Sequence, residues 1–464
     1  MTAPSFAHTP QPLGLQNLFA LRNTTWAKDR HFTGRVFFWH HALGLVDHQA
    51  CLWPLQADPS LTLHAGDIVV FQCRPGALLE LTRLVHHTPC QQLWHNAVIP
   101  DPLPQDAFFA THGLVPPLAR PNTTLFFPSP TALRLEPLRN KNRAWDRTKQ
   151  FFTNRGFVCI ETPTLVPSGG VETYLHPFAT IYQDHQGRSW PLQLPTSPEF
   201  ALKKVLSETL LSKVFQLSRA YRNHGELSKH HEPEFVMLEW YRTHASLHDL
   251  REDTQKLVGT LAQTLGHSAL NLPSTPWPVF RVDTLFQNLM GLSLEKLQET
   301  PLFYQAAKNL SPSVVPTDDW DSLFYKLFFE KIEPFLKTHP GCFVTHYPIQ
   351  MAALAAPEAL SNRPSVFAER MEAFLYGVEI ANAYQELTEP LVLKQRFAHT
   401  LALRPDLRPD VVFEDAMDFG LPPCAGIALG WDRLIAVLLG LEHLSKLAAV
   451  PFLSQFPKNT VAPE

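Results

Sequence analysis

The stretch VFQLSRAYRNHGELSKHHEPEFVMLEWYR, residues 214 to 242, predicts two strands joined by a polar loop. Val214 to Arg222 alternates apolar and polar side chains, Asn223 to Glu234 is rich in Gly, His, Glu and Lys, and Phe235 to Tyr241 is extended again. A period of two puts Phe235, Met237, Glu239 and Tyr241 on one face and Val236, Leu238 and Trp240 on the other. A carboxylate on a strand face beside two aromatic rings is costly unless it meets a cation. Two readings stay open at this point: a hairpin whose polar face is simply wet, or one that offers an acid to a ligand.

The bulk of the chain narrows the choice of partners. Its 464 residues suffice for two to four domains, and 39 basic against 43 acidic residues give a net charge of -4. That balance excludes a global bias toward nucleic acid or a membrane surface, so any such contact is local. Six cysteines, Cys51, Cys73, Cys90, Cys159, Cys342 and Cys424, are scattered with no CxxC pair, as expected of a reduced cytosolic protein rather than a disulfide or zinc framework. The opening MTAPSFAHTPQPLG lacks a basic region ahead of an apolar core, and no apolar run approaches a membrane span. A soluble, cytoplasmic protein with no membrane partner is expected.

Residues 1–30 carry Pro and Thr and read as a segment that can be disordered. Residues 31–115 are a succession of short apolar runs and turns, GRVFFWHHALGLV, ACLWPLQ and GDIVVFQCRPGALLELTRLV, which suggests a small β-rich, OB-like domain. Residues 1 to 120 hold seven Lys/Arg and seven Asp/Glu, poor provision for an RNA backbone. A degenerate or protein-binding barrel is at least as good a reading as an RNA-binding one, and Phe37, Phe38 and Trp39 suit a barrel core as well as base stacking. Pro116, Pro117, Pro121, Pro128, Pro130 and Pro137 mark a stiff linker over 116–137, with a larger domain at 138–464. There Arg139, Arg143 and Arg147 share one helical face, solvated or facing a partner, and FVCIETP forms a strand stopped by Pro163. SPEFALKKVL opens a helix with Pro198 and Glu199 in its first turn. Residues 246 to 340 read as amphipathic scaffold, with DDWD as a helix start.

Two further blocks carry chemistry. In ERMEAFLYGVEIANAYQELTEP, residues 369 to 390, a tight turn at Tyr376-Gly377 sets Glu379 opposite Phe374 and diagonally beside Glu372. Carboxylates held that close repel unless a cation lies between them; they look like magnesium ligands, the plainer alternative being an exposed acid pair. Asn382, Tyr384 and Glu386 alternate onto one face. In PPCAGIALGWDRLIAVLLGL, residues 422 to 441, a strand of small residues runs into Gly430 and a helix starts near Trp431. Arg433 at the head of that helix opposes the local dipole, which an anion held there would explain. A Gly-bounded core helix would look much the same.

Taken in order, the helix and strand ending at Pro163, the RxxRN…PEFxMLEWY hairpin and the Gly-rich strand with GxDR resemble the three motifs of class II aminoacyl-tRNA synthetases, over roughly residues 138 to 464. The wording TSPE at 196 to 199, HxPEF at 231 to 235 and EIANAYQEL at 379 to 387 is similar to the lysine subfamily. MLEWY and AGIALGWDR resemble most the elongation factor P β-lysine ligases, paralogues of lysyl-tRNA synthetase. The resemblance implies an α+β fold, an antiparallel sheet flanked by helices, and a homodimer formed through the first motif. It implies ATP and Mg2+ as cofactors, lysine or (R)-β-lysine as substrate, and elongation factor P or tRNA as acceptor.

Adenylate formation needs positioning and electrostatic stabilisation and no general base. By the resemblance, Arg222 spans the α-phosphate and the substrate carboxylate, Arg433 holds the γ-phosphate, and Glu372 and Glu379 bind magnesium. Arg222 and Arg433 are thus the catalytic pair. Phe235 and Arg433 sandwich adenine, and His231 and Glu234 complete the ATP site. Glu199 and Glu239 take the backbone amine of the amino acid, Tyr241 and Glu386 its side-chain ammonium, and Asn382 orients it, with Tyr384 alongside. Ala428 is the discriminating position: lysyl-tRNA synthetases carry Gly there and the β-lysine ligases Ala, a methyl worth about 1 kcal/mol. A core alanine facing a helix is the alternative.

The chain departs from the family pattern at His224, where an acid is usual and for which Glu226 is a substitute, at Glu232 in place of Asn, at Ala383 in place of Gly, and at Tyr384 in place of Phe. Two further hypotheses stand beside the ligase: a lysyl-tRNA synthetase with a worn anticodon-binding barrel, and a synthetase-like regulatory protein without turnover.

Overall fold

The computed structural model describes residues 30–39, 42–46, 52–56, 68–74 and 79–88, and residues 131–455 apart from 210, 267–271, 273–274 and 361–363, with side chains described from Glu136 onward. The expected N-terminal segment and most of the Pro-rich stretch lie outside the described residues. The chain divides into two units, Met1–Leu135 and Glu136–Glu464. In the first, strands β1 (Arg30–Trp39), β2 (Ala42–Val46), β3 (Leu52–Gln56), β4 (Ile68–Arg74) and β5 (Leu79–Thr88) close into a barrel in the order β1-β2-β3-β5-β4.

Helix α1 (Thr131–Thr153) leads into the second unit. It starts earlier than the proline pattern suggests and carries Pro137 in its second turn. Strand β6 (Val158–Cys159) and the hairpin β7 (Phe178–Gln183) and β8 (Ser189–Leu194) follow, then helix α2 (Glu199–Thr209). The opening hairpin is β9 (Lys213–Tyr221) and β10 (Glu234–Thr243). Next come α3 (Leu247–Thr264), β11 (Val279–Arg281), α4 (Val282–Met290), α5 (Thr300–Ala307), α6 (Trp320–Leu327) and α7 (Glu333–Leu336). The chain continues through β12 (Gly341–Thr345), β13 (Arg370–Leu375), β14 (Val378–Gln385), α8 (Pro390–Leu403), α9 (Val411–Phe419), β15 (Cys424–Gly430) and α10 (Trp431–Leu438).

Eight strands form one sheet in the order β11-β12-β13-β14-β15-β10-β9-β6. It is mixed rather than purely antiparallel: β11 pairs parallel with β12, and β6 parallel with β9, at the two outer ends. Both outer pairs are separated in sequence by long crossovers containing helices, the connection that parallel pairing requires. The expected strand FVCIETP contributes only Val158 and Cys159 to the sheet.

One face of the sheet carries the core. Val236, Leu238 and Trp240 of β10 pack with Ile427 and Leu429 of β15 against Phe151 and Phe152 of α1, Leu250 and Leu257 of α3, and Leu434 of α10. Phe152 stacks on Phe215 with ring centroids 4.9 Å apart. The opposite face, bearing Phe235, Met237, Glu239 and Tyr241, is the one that the alternation reserves for polar work. Arg139, Arg143 and Arg147 are exposed along α1, as their spacing predicts. The turn at Tyr376-Gly377 has φ of 51° and 74°, the left-handed pair of a two-residue hairpin loop. Asp319 caps α6 by accepting the Ser322 amide at 2.8 Å. Cys159, Cys342 and Cys424 are free thiols. Among the described residues no helix is long and apolar enough to cross a membrane.

Candidate active site

On the polar face of the sheet lies a cavity of about 410 Å³. Its floor is laid in rows across the strands. Glu239 of β10 pairs with Ala428 of β15, Ala428 with Asn382 of β14, and Asn382 with Glu372 of β13. The next row runs Tyr241, Gly426, Tyr384, Arg370. The small residues of β15 keep the middle of the floor low. A Cβ at Gly426 would lie 2.2 Å from Tyr241 Cε1 and 2.3 Å from Glu386 Oε1, so only glycine fits beneath that pair.

Three acids from different elements meet at one end. Lys203 of α2, one turn beyond Glu199, is buried and forms ion pairs with Glu199 and, at 2.6 Å, with Glu386 Oε2. Burial opposes its charge, but Glu199 and Glu386 more than offset this and hold the ammonium far above its ordinary range. Burial pushes Glu386 up as well, against the pull of Lys203. Glu239 is wholly buried just beneath the cavity lining; its Oε2 accepts the Tyr241 hydroxyl at 3.1 Å, and Ser197 is its second hydrogen-bond partner. Burial, reinforced by Glu199, pushes its carboxyl up to about 8.

At the other end lie the cations. Arg222 follows the last residue of β9, and its guanidinium sits 5.2 Å over the Phe235 ring, with Nε buried and unpaired among the described residues. Arg433, in the first turn of α10, donates to the Glu379 carbonyl at 2.7 Å and lies 3.6 Å from the Glu379 carboxylate. Beside it, Asp432 anchors the helix by accepting the Val236 amide at 2.8 Å and pairing with Lys141 at 2.7 Å. Glu372 receives Arg370 at 2.6 Å and the Tyr347 hydroxyl. Burial raises its carboxyl, Arg370 pulls it down, and Glu379 pushes it up again. His231, bonded to Ser228 Oγ at 2.9 Å, lines the mouth, its basicity lowered by burial and Arg433.

The cavity lining thus gathers Arg222, His231, Phe235, Glu372, Glu379, Arg433, Glu199, Tyr241, Asn382, Tyr384, Glu386 and Ala428. Glu234 is not among them. It shares strand parity with Val236, points to the other face, and pairs with Arg219 at 3.3 Å. Asn382 lines the cavity, but its amide bridges Arg370 at 3.1 Å and the Tyr384 hydroxyl at 2.7 Å. The acid pair Glu372 and Glu379 stands on one face as the turn predicts, with Glu379 opposite Phe374. Among the described residues no group of three or more His, Cys, Asp or Glu is placed to hold a metal ion. A magnesium ion typically takes only one or two carboxylates and completes its shell with water and phosphate oxygens, so two acids whose repulsion raises Glu372 fit it.

Several lining residues escaped the sequence reading: Glu172, Ser197, Asp321, Tyr325, Gln350 and Arg370. Asp321 and Tyr325 belong to α6, inside the stretch read as scaffold, and Tyr174 donates to Asp321 at 2.6 Å. The acidic DDWD start was visible, but its third acid, Asp321, serves the cavity. At the unusual position 224, the histidine ring stacks on His176 with centroids 4.8 Å apart, and its backbone is left-handed at φ 55°.

Comparison with known proteins places this geometry. Residues 133–454 match the family described as tRNA synthetases class II (D, K and N). An "Elongation factor P--(R)-beta-lysine ligase" of Salmonella paratyphi B is 33% identical over 308 residues, 65% of this chain and 90% of the relative. One of the same name from Hamiltonella defensa is 31% identical over 312 residues, 66% of this chain and 91% of the relative.

Proposed function

The chain belongs to the class II tRNA synthetase family, and on that premise we propose that it activates lysine or (R)-β-lysine with ATP and transfers the aminoacyl group to a lysine of elongation factor P. The observation that carries this reading is the division of one cavity into a cationic end, Arg222 and Arg433, and an acidic end, Glu199 and Glu386 with Glu239 buried beneath them. A diamino acid offers a carboxylate to the first and ammonium groups to the second. The names of the relatives point to the same substrate and acceptor.

In the reaction the substrate carboxylate attacks the α-phosphorus of ATP and pyrophosphate leaves. Arg222 binds the carboxylate and an α-phosphate oxygen together, setting the attack line and stabilising charge that gathers on phosphoryl oxygens. Phe235 offers a ring face for adenine, and Arg433 holds the far phosphate while Glu379 fixes its guanidinium. Glu372 and Glu379 would hold magnesium, which when bound neutralises phosphate charge. Arg370 and Tyr347 keep Glu372 oriented. Glu386 and Tyr241 take the distal ammonium and Glu199 and Glu239 the amine nearer the carboxylate, and the Ala428 methyl between Glu239 and Asn382 sets how deep the substrate can sit.

The first unit is read as an OB-like domain, 31–115, followed by a linker and by the catalytic domain. We also read the molecule as a homodimer. Among the described residues strand β6 ends the sheet with no further strand beyond it, and Val158, Leu165, Ile181 and Trp190 are exposed apolar side chains on or following it in the chain. A second reading, lysyl-tRNA synthetase, is favoured by the five-stranded barrel alone. Radiolabelled lysine and (R)-β-lysine, each offered with purified elongation factor P and with total tRNA, decide the acceptor. Label in the protein with β-lysine preferred is expected; label in tRNA alone overturns the proposal.

A further inference from the structure

Glu172 stands on the segment between β6 and β7, and that segment is fastened on every side. Gly169 donates its amide to Gln193 Oε1 at 2.8 Å and accepts the Thr196 amide on its carbonyl at 2.9 Å. A Cβ at Gly169 would come within 2.8 Å of the Leu194 carbonyl, so the approach of the two backbones depends on glycine. Beyond Glu172, Arg404 donates to the Thr173 carbonyl, Tyr174 donates to Asp321 at 2.6 Å, and the Asn223 amide donates to the His176 carbonyl at 2.7 Å. Glu172 is therefore held at the cavity wall by a built loop.

Its carboxylate lines the cavity and forms no hydrogen bond or ion pair among the described residues. Glu199 is the charge that acts on it most, followed by Arg222, and Glu172 is in turn the charge that acts most on Arg222. Electrostatically it lies between the residue that takes the substrate carboxylate and the acidic end. Glu199 is already neutralised in part by Lys203, and Glu239 is buried beneath the lining. The buried Nε of Arg222, without a hydrogen-bond partner among the described residues, points to a group still to be bound beside it.

We propose that Glu172 is the specificity-determining counter-ion for the substrate amine nearest the carboxyl group, the α-amine of lysine or the β-amine of β-lysine. This rests on the amino-acid-activating reading and refines it. Glu199 and Lys203 then serve chiefly to shape the acidic end, and the loop at 169–176 becomes part of amino-acid selection.

The test is calorimetric binding of lysine, (R)-β-lysine and 6-aminohexanoate, which lacks the proximal amine, to the full-length protein and to Glu172→Gln and Glu172→Asp. Loss of one charge-assisted contact should weaken lysine and β-lysine about 10- to 100-fold in Glu172→Gln. Binding of 6-aminohexanoate should stay the same, and Glu172→Asp should recover part of the loss. ATP–pyrophosphate exchange should show the loss in KM for the amino acid with KM for ATP unmoved. Equal weakening of all three ligands, or none for lysine, overturns the assignment while leaving the activation reading intact. If the unaltered protein binds neither diamino acid, both fall. If Glu172→Gln does not fold, Glu172→Asp decides: lysine weakened and 6-aminohexanoate not is the expected pattern, and any other overturns the assignment.

Discussion

Lys203 Nζ lies 2.6 Å from Glu386 Oε2, and the two side chains are 2% and 1% exposed. A carboxylate that the sequence reserves for a substrate ammonium is thus already shared with an ammonium of the chain. The cluster is prepared to hold positive charge before any ligand arrives, since Lys203 also binds Glu199. Replacing Lys203 by Met leaves two buried acids without their cation, and breaking a buried pair in this way costs about 3–5 kcal/mol. Urea unfolding should show a loss of that order; a variant within about 0.5 kcal/mol of the parent would mean the pair contributes little.

The pH dependence has a defined sign. Glu239 has a carboxyl at about 8 in the folded chain against an ordinary value of 4.5. Between those values the unfolded chain has lost a proton that the folded chain keeps, so this group lowers the stability of the free protein as pH rises from about 4.5 to about 8. A bound ammonium favours the carboxylate. Affinity for lysine should therefore rise with pH up to about 8, with proton release on binding. Calorimetry in two buffers of different ionisation enthalpy measures that release, and none at pH 7 would contradict the assignment of Glu239 to the ammonium end.

Ala428 sits between Glu239 and Asn382 in one row. Ala428→Gly should move the ratio of kcat/KM for β-lysine over lysine toward lysine by about 5- to 10-fold, the effect of one methyl in a packed pocket. Gly426→Ala tests the neighbouring row. Its new methyl would displace Tyr241 and Glu386, so KM for the amino acid should rise at least about 10-fold while KM for ATP holds. Pyrophosphate exchange gives both numbers.

Glu379 has a 3.6 Å approach to Arg433, whereas Glu372 is bound by Arg370 and Tyr347. Neutralising either as Gln should raise the Mg2+ concentration for half-maximal exchange. Glu372→Gln should also destabilise the protein, because Arg370 is left buried with a weaker partner, by about 3 kcal/mol or less. Magnesium titrations of exchange and thermal unfolding separate the two effects.

The faces of the hairpin were legible because strand alternation admits only two assignments, and the core residues Val236, Leu238 and Trp240 settle which is which. The Tyr376-Gly377 turn and the helix at Trp431 were legible for similarly local reasons. Alternation also carried the evidence against Glu234, whose parity with Val236 turns it from the cavity. Glu172, Asp321 and Tyr325 were not legible. They sit on a loop and on an amphipathic helix whose local patterns are those of ordinary scaffold, and only long-range packing brings them to the wall. The partnership of Lys203 with Glu386 crosses 183 residues of chain, read from their numbers, and no local rule relates them. The parallel edges of the sheet escaped for the same reason.

Strand β15 brings the small residues Gly426, Ala428 and Gly430 to the cavity, while its neighbours β10 and β14 bring Tyr241, Asn382 and Tyr384, with Glu239 buried just beneath. Chemical identity of the ligand is thus written on the flanking strands and its permitted size on the central one. Descendants of this sequence can retune which isomer they accept by single small-residue changes in β15, without dismantling the charged lattice on either side. Changes in the charged lattice itself demand simultaneous substitutions on several strands, so the family's substrate chemistry should drift more slowly than its substrate shape.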